Sequence, residues 1–215
     1  MTNVKACLFD LDGVIVDTAK YHYLAWRRLA NELGFEFTEE DNERLKGISR
    51  MKSLEILLEI GKVSFDEKTK EALAEKKNTW YVEYISNMDS TEILPGVTEF
   101  LTALRENGIK ISLGSVSKNA MIILENTGIA KYFDAVIDGT KITHAKPDPE
   151  VFLKGAAELK VLPEHCVVFE DAQAGIEAAI NAGMHSVGVG SPEILNKADF
   201  VISTFKEMTL DRLNF

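Results

Sequence analysis

The sequence has little cysteine and no long apolar run. Its 215 residues include two cysteines, Cys7 and Cys166, each within a short apolar segment typical of a buried strand. Cysteines in such segments are usually small buried side chains, so we expect neither a disulfide nor a cysteine-ligated metal. No apolar segment approaches the roughly 20 residues that a transmembrane helix requires. We therefore expect a protein that does not span a membrane.

Basic residues are also under-represented. The chain has 24 Lys and Arg against 34 Asp and Glu, a formal net charge of −10, which argues against broad binding to nucleic acids or anionic membranes. A phosphorylated small molecule is compatible with this charge, because anion binding requires only a local group of donors. The N-terminus lacks the pattern of a signal peptide. Together these features predict a cytoplasmic protein and allow a small-molecule substrate. We also expect a monomer.

Alternating strand and helix patterns indicate the fold class. Short apolar runs typical of buried strands occur at 6–9, 110–113, 135–137, 166–169, 185–189 and 200–202. Helical patterns separate the runs from residue 94 onward, whereas residues 18–88 are helical throughout. We therefore predict an α/β protein whose doubly wound, parallel, Rossmann-like sheet comprises residues 1–17 and 89–215. Residues 18–88, called the helical insertion below, are predicted to form an α-helical cap domain.

Capping residues and glycines predict the bounds of helices in the insertion. Thr38 is a candidate N-cap for a helix over 39–45, and Gly61 is expected to end a helix over 51–60. Ser64 followed by Glu67 has the form of a capping box, which predicts a long helix from there to about residue 86.

Two carboxylates follow the first strand directly. If the strand continues, Asp10 and Asp12 project to the same side, and Gly13 then allows a sharp turn or a close approach to a ligand. Neighbouring carboxylates repel, and a divalent cation or a division into ionised nucleophile and protonated acid relieves that cost. An Asp-Gly surface turn is the alternative. The apolar strand favours a functional site, since open α/β sheets bind ligands at the carboxyl ends of strands.

Three further polar segments follow predicted strands. Ser115, before a helix start, can bind an anion or simply cap that helix. Lys146 lies in a proline-bounded loop, where it is either a point charge for a phosphate or a solvated side chain. Glu170 and Asp171 follow an apolar strand, where they can bind Mg²⁺ or complement a helix N-terminus.

All four segments, in this order and at strand ends, resemble the four motifs of the haloacid dehalogenase superfamily of phosphotransferases. The most specific of them is Asp-Leu-Asp-Gly-Val-Ile-Val-Asp at residues 10–17. The helical insertion resembles the small α-helical cap of the first subfamily, so the resemblance covers nearly the whole chain. It implies that Asp10 is the nucleophile that forms an aspartyl phosphate and that Asp12 is the general acid/base.

The resemblance also implies ligands for the metal and for the transferring phosphoryl group. Ser115 and Lys146 are expected to bind the phosphoryl group. Mg²⁺ is expected to be bound by Asp10, the backbone carbonyl of Asp12, and Asp171, with Glu170 assisting. Phosphoryl transfer depends mainly on positioning and on neutralising the charge of the phosphoryl oxygens, which Mg²⁺ and a lysine supply.

The helical insertion bears on whether the phosphoryl group goes to water or to a sugar. A mutase has to exclude water and hold a bisphosphate by its non-reacting phosphate, which requires cations on a closing cap. The segment at 44–50, Arg-Leu-Lys-Gly-Ile-Ser-Arg, resembles the substrate loop of the superfamily's phosphoglucomutases, and its Arg50 suits bidentate phosphate binding. The alternative is that these basic residues bind no substrate and only provide solubilising surface charge.

The resemblance to these phosphoglucomutases implies the interconversion of β-D-glucose 1-phosphate and glucose 6-phosphate through β-glucose 1,6-bisphosphate. Two other functions remain open. One is a Mg²⁺-dependent phosphatase acting on a sugar phosphate or phosphoglycolate, and the other is a non-catalytic regulator that binds a sugar phosphate. The intact Asp10 argues against the regulator, because loss of catalysis normally begins with loss of the nucleophile.

The same resemblance implies substrate-binding residues in both parts of the chain. Asp-Thr-x-x-x-His at 17–22 is the mutase pattern, and Lys77 matches a cap lysine that couples cap closure to the acid/base residue. Packing is the alternative for His22, and Trp26 is a candidate lining residue. The linkers at 16–18 and 89–91 are expected to act as hinges. The expected substrate-binding residues are Thr18, His22, Trp26, Lys46, Gly47, Arg50, Lys77, Ser117, Lys118 and Asn119.

Overall fold

The computed structural model describes residues 4–45 and 48–215. It contains a six-stranded parallel sheet with the order β3-β2-β1-β4-β5-β6, which confirms the predicted α/β class. The first strand pairs with β2 on one side and with β4 on the other, so its carboxyl end lies where the strand order reverses. The strands are β1 (Ala6–Phe9), β2 (Lys110–Gly114), β3 (Ala135–Ile137), β4 (Cys166–Glu170), β5 (His185–Val189) and β6 (Phe200–Ile202).

Helices occupy both the predicted insertion and the connections between strands. Between β1 and β2 lie α1 (Ala19–Glu32), α2 (Glu39–Glu43), α3 (Arg50–Ile60) and α4 (Glu67–Ile85). The later helices are α5 (Val97–Glu106), α6 (Ala120–Thr127), α7 (Glu150–Leu159) and α8 (Gln173–Asn181). Helix α1 packs against α4, and α3 also packs against α4. No helix in the described part of the chain is both long and apolar enough to cross a membrane.

The centre of the sheet is apolar on both faces. All four residues of β1 are buried, and the ring of Phe9 stacks on that of Phe169 in the neighbouring strand with centroids 4.7 Å apart. Cys7 pairs with Val167 and Ala6 with Cys166, so the two cysteine side chains point to opposite faces of the sheet. Both thiols are free and buried. Burial raises the pKa of Cys166 to about 11, in keeping with an inert side chain.

The predicted N-cap of α4 and the predicted end of α2 are both wrong. Helix α4 begins at Glu67, but its N-cap is Asp66, whose carboxylate accepts a hydrogen bond from the Thr69 N–H at 2.8 Å. Ser64 lies too far from the first helical turn to serve as its cap. The capping box belongs instead to α2, where Thr38 and Asp41 cap each other reciprocally, and α2 ends at Glu43 rather than at residue 45.

Candidate active site

The loop after β1 brings two carboxylates together by turning back on itself. Asp10 is buried and its N–H donates to the Phe169 carbonyl at 3.0 Å, but the strand then ends. The N–H of Asp12 donates to Oδ2 of Asp10 at 3.1 Å, and the Gly13 N–H donates to the Val16 carbonyl at 2.8 Å. The expectation that an extended strand carries both acids is therefore wrong. Their proximity arises from a tight loop.

Asp12 has an altered proton affinity in this loop. Burial, followed by the negative charge of Asp10, raises the pKa of Asp12 to about 6, and the hydrogen bond from Thr18 opposes the shift. A carboxyl group of this kind exchanges a proton readily near neutral pH.

Lys146 joins the tips of β1 and β4. Its buried Nζ lies 2.5 Å from Oδ1 of Asp10 and 2.8 Å from Oε2 of Glu170. Burial disfavours the charged ammonium, but the two carboxylates outweigh it and raise the pKa of Lys146 above the ordinary value. The lysine is therefore held as a cation against the first strand, and the alternative of a solvated loop side chain is excluded.

Three carboxylates form a group suited to a hard cation. Ligand oxygens of Asp10, Glu170 and Asp171 all lie within 4.8 Å of one another. Burial and the charges of Asp10 and Asp171 raise the pKa of Glu170, and Lys146 opposes the shift, which shows that negative charge is concentrated here. Mg²⁺ prefers oxygen ligands of this kind, so the residues present fit the ion.

Gly13 makes room for this group. Its φ is +79°, and a Cβ placed on it would lie 2.2 Å from Oδ2 of Asp171. No other residue type combines that backbone conformation with so close an approach. The glycine therefore allows the loop after β1 to pass directly over the Asp171 carboxylate.

Ser115 is buried at the end of β2. Its N–H donates to the Ile137 carbonyl at 2.9 Å, and its Oγ accepts a hydrogen bond from the Ser117 N–H at 3.1 Å. The Oγ of Ser117 in turn accepts from the Asn119 N–H at 3.2 Å. The two hydroxyl groups thus order the turn that leads into α6. Ser115 does not cap that helix, whose N-cap is Asn119 without a side-chain hydrogen bond, so the capping alternative is wrong.

Side chains from α1 and α4 converge on Asp12. Thr18 donates a hydrogen bond to Oδ1 of Asp12, and Nε2 of His22 lies 3.8 Å from the same oxygen. The Nζ of Lys77 lies 3.0 Å from Nδ1 of His22. Burial, followed by the charges of Lys77 and Arg50, lowers the pKa of His22 well below its usual value. The structure therefore brings these predicted residues into one connected group.

Aromatic rings surround the buried Lys77. Its Nζ lies 4.5 Å from the centre of the Trp26 ring and 4.6 Å from that of Tyr81. The Tyr81 ring also stacks on His22 with centroids 4.1 Å apart. Tyr81 was not predicted as a site residue, although its position one helical turn after Lys77 places both on one face of a helix.

A cavity of about 580 Å³ separates the strand tips from the helical insertion. Asp10, Asp12 and Asp171 line it on the sheet side. The cavity is large enough for a small phosphorylated ligand. The predicted substrate residues that line it are His22, Trp26, Arg50, Lys77, Ser117, Lys118 and Asn119, whereas Lys46 and Gly47 lie outside the described residues.

Two polar contacts join residues that line this cavity. Nη1 of Arg50 lies 3.1 Å from Oε2 of Glu75, and the Asn119 amide donates to Oδ1 of Asn78 at 2.8 Å. Glu75 and Asn78 also line the cavity but were not predicted. No motif marks them, because their relevance comes from contacts with other segments.

Sequence comparison places the chain in a family. The profile of the haloacid dehalogenase-like hydrolases matches residues 4–183, most of the chain. The chain belongs to this family. A β-phosphoglucomutase of Bacillus subtilis (strain 168) is 43% identical over 213 residues, which cover 98% of this chain and 94% of that protein. The predicted resemblance is thereby confirmed.

Other members of the haloacid dehalogenase-like family are similar along the same length. A crystal structure of β-phosphoglucomutase from Clostridium difficile has a TM-score of 0.93 and 46% identity, and covers 98% of this chain and 95% of that one. A phosphorylated carbohydrates phosphatase of Thermotoga maritima is 33% identical over 86% of this chain and 84% of that protein. Proteins named as mutases and as phosphatases are therefore both similar to this chain over most of its length.

Proposed function

We propose that this haloacid dehalogenase-like protein interconverts β-D-glucose 1-phosphate and glucose 6-phosphate through β-glucose 1,6-bisphosphate. The observation that carries this function is the cavity, which has carboxylates on the sheet side and basic side chains on the opposite wall. A phosphatase needs only the first wall, whereas a mutase also has to bind the second phosphate of its intermediate. The similarity to β-phosphoglucomutases over 98% of the chain agrees with this reaction.

In the proposed reaction Asp10 is the nucleophile. One of its carboxylate oxygens attacks phosphorus, the bond between phosphorus and the sugar oxygen breaks, and Asp12 gives its proton to that leaving oxygen. Asp12 then takes a proton from the sugar hydroxyl that attacks the aspartyl phosphate. A pKa of about 6 supports both roles, because the carboxyl group can hold and release a proton near neutral pH.

Asp10, the backbone carbonyl of Asp12, and Asp171 would hold Mg²⁺, with Glu170 assisting. The ion would neutralise charge on the phosphoryl oxygens and screen them from the attacking carboxylate. We further propose that Lys146 and Ser115 bind the same phosphoryl group. For Lys146 the support is its position between Asp10 and Glu170, where its ammonium is kept charged.

The helical insertion is proposed to bind the rest of the substrate. Thr18, His22 and Lys77 position Asp12, and the ring of Trp26 forms part of the sugar-facing wall. The distal phosphate is assigned to Arg50, Ser117, Lys118 and Asn119, together with Lys46 and Gly47 of the same substrate loop. Arg50 suits this role because its guanidinium can donate two parallel hydrogen bonds to a phosphate.

The chain is proposed to act as a cytoplasmic monomer with two domains, residues 18–88 forming the cap and the remainder the core. The two free, buried thiols support a reducing compartment.

A coupled assay tests the proposed function. Purified protein with Mg²⁺, β-glucose 1-phosphate and a priming amount of β-glucose 1,6-bisphosphate should form glucose 6-phosphate, measured as NADPH with glucose-6-phosphate dehydrogenase. Asp10→Asn should abolish the product, since an amide cannot act as the nucleophile. Asp211→Asn, at an exposed acid outside the proposed site and the hinges, is the control and should retain turnover.

Release of free phosphate without glucose 6-phosphate would instead select a phosphatase. The names of two relatives favour that second candidate: the Thermotoga maritima enzyme and a fructose-1-phosphate phosphatase of Escherichia coli (strain K12) that is 35% identical. Full turnover by Asp10→Asn would contradict the covalent mechanism for either reaction.

A further inference from the structure

The Arg50 side chain already has an anionic partner in the cavity. Arg50 is the first residue of α3 and Glu75 lies on α4, and their Nη1 and Oε2 atoms are 3.1 Å apart. Both residues line the cavity. The Arg50 side chain is 27% exposed and that of Glu75 is 70% exposed, so the carboxylate can swing into solvent at little cost whereas the guanidinium stays in place.

The surroundings of Arg50 are rich in basic groups. Arg50 lowers the pKa of His22 and of Lys77, after the larger effect of burial on each, so the three basic side chains lie close enough to repel. Among the described residues, Asp12, which accepts from Thr18, and Glu75 contact this basic group, and Glu71 also lines the cavity. Without a bound anion, the positive charges of this wall are only partly neutralised. The Glu75 carboxylate contributes the negative charge that a bound phosphate group would also contribute.

We propose that Glu75 is an exchangeable counter-ion that pairs with Arg50 whenever the distal phosphate is absent. The inference rests on the proposed function and deepens it, because it concerns the subsite for the non-reacting phosphate. A phosphate that binds Arg50 displaces Glu75, and Glu75 returns when the phosphate leaves. Glu75 therefore acts through Arg50 as a positioning residue that weakens phosphate binding and eases phosphate release.

A mutase has a physical use for this exchange. Its bisphosphate intermediate has to leave Arg50, turn around and present the other phosphate to the core. Without a replacement anion, departure of the phosphate would leave a partly buried guanidinium unpaired, and that cost would slow release. Glu75 supplies the replacement from the same cavity wall.

The test is a binding measurement on variants of the whole protein. Calorimetric titration with glucose 6-phosphate in the presence of Mg²⁺ gives Kd, and the coupled assay gives KM and kcat. Glu75→Gln should lower Kd by about two- to fivefold, the range for loss of one partly exposed ion pair. The KM should fall in the same direction while kcat does not rise, because tighter holding of the phosphate does not speed the chemistry.

Glu71→Gln is the matched control. Glu71 lies one turn earlier on α4, lines the same cavity and loses the same charge, yet in the described part of the chain it forms no ion pair with Arg50. Its Kd should change by less than about twofold, because its effect is only that of a screened distant charge. An equal gain in affinity from both variants would overturn the proposal, since any nearby carboxylate would then have the effect.

A double-mutant cycle tests whether the effect of Glu75 on Kd depends on Arg50. In an Arg50→Ala background, Glu75→Gln should leave Kd unchanged. Persistence of the gain there would overturn the proposal, as would an unchanged or weaker affinity of the single Glu75→Gln variant. Circular dichroism checks folding, and if Arg50→Ala does not fold, the comparison of the Glu75 and Glu71 variants decides alone.

The experiments can contradict the counter-ion role of Glu75 and the proposed mutase reaction independently of each other. Wild-type protein that binds glucose 6-phosphate but forms none from β-glucose 1-phosphate would contradict the mutase reaction and leave the counter-ion testable by Kd. Wild-type turnover with no effect of Glu75→Gln would contradict the counter-ion alone.

Discussion

At the scale of single residues, the site is built from charges that would repel one another without their particular neighbours. Asp10, Glu170 and Asp171 converge at the strand tips, and the ammonium of Lys146 contacts the first two. Asp171 also lies directly under Gly13. A side chain at position 13 would push the loop away from the carboxylate that is proposed to hold Mg²⁺.

Gly13→Ala should therefore weaken the response to Mg²⁺. Because the new Cβ would lie 2.2 Å from Oδ2 of Asp171, the carboxylate or the loop has to move, and we expect the Mg²⁺ concentration for half-maximal activity to rise about 10- to 100-fold. Titration of activity with MgCl₂ measures it.

Gly128→Ala is the control for backbone strain. Gly128 has a φ of +72°, similar to that of Gly13, but a Cβ there would meet nothing within 4 Å. Both variants should lose stability, by about 1–2 kcal/mol from the left-handed backbone. An unchanged Mg²⁺ response in Gly13→Ala would show that the close approach to Asp171 has no role in metal binding.

At the scale of elements, helix starts are controlled by single side chains. Asp66 accepts from the Thr69 N–H and lowers the number of unpaired donors at the start of α4, the helix that carries Lys77, Glu75 and Tyr81. That hydrogen bond lowers the pKa of Asp66 below its usual value. An acid with a lowered pKa in the folded state stabilises the protein while ionised and loses this effect as pH falls.

Asp66→Ala should consequently lower the thermal unfolding midpoint at pH 7 by about 2–4 °C. The difference from wild type should shrink as pH falls below about 3.9, the ordinary pKa of aspartate, because protonation removes the charged acceptor in wild type as well. Differential scanning calorimetry at pH 7 and pH 3 measures both effects. Ser64→Ala is the control and should change nothing; a larger loss from Ser64 would restore the cap expected from the sequence.

At the scale of the whole molecule, two chain connections join the helical insertion to the sheet. They run side by side, since Val16 and Ile93 form an antiparallel bridge and the Asp17 N–H donates to the Glu92 carbonyl at 3.1 Å. Farther along, Asn119 bonds to Asn78, and the Asn126 amide donates to the Ile85 carbonyl at 3.1 Å. We expect the paired connections to act as one hinge, in which case the contacts of α4 with α6 would break when the cavity opens.

Phosphate ligands should shift the molecule toward the closed arrangement. If glucose 6-phosphate with Mg²⁺ bridges both cavity walls as proposed, the radius of gyration from small-angle X-ray scattering should decrease on its addition. Glucose without a phosphate is the control and should leave the profile unchanged. Identical profiles with and without a bound transition-state mimic would count against closure about these linkers.

Much of the architecture followed from local patterns. The six strands lie within a residue of the apolar runs that predicted them, because burial of a short parallel strand requires a continuous apolar segment. The polar segments at strand ends identified Asp10, Lys146, Glu170 and Asp171, since a parallel sheet brings the carboxyl ends of its strands to one edge.

Other features depended on contacts between distant segments. The amino-acid sequence by itself determined the α/β class, the order of the strands along the chain and which acids follow them. Tertiary structure alone decided that Lys146 is buried between two carboxylates, that Tyr81 stacks on His22, and that Glu75 pairs with Arg50. The physical reason is that the spacing of apolar residues, which predicts a strand or helix, is contained within one segment. The partner of a charged side chain depends instead on which other segment packs beside it.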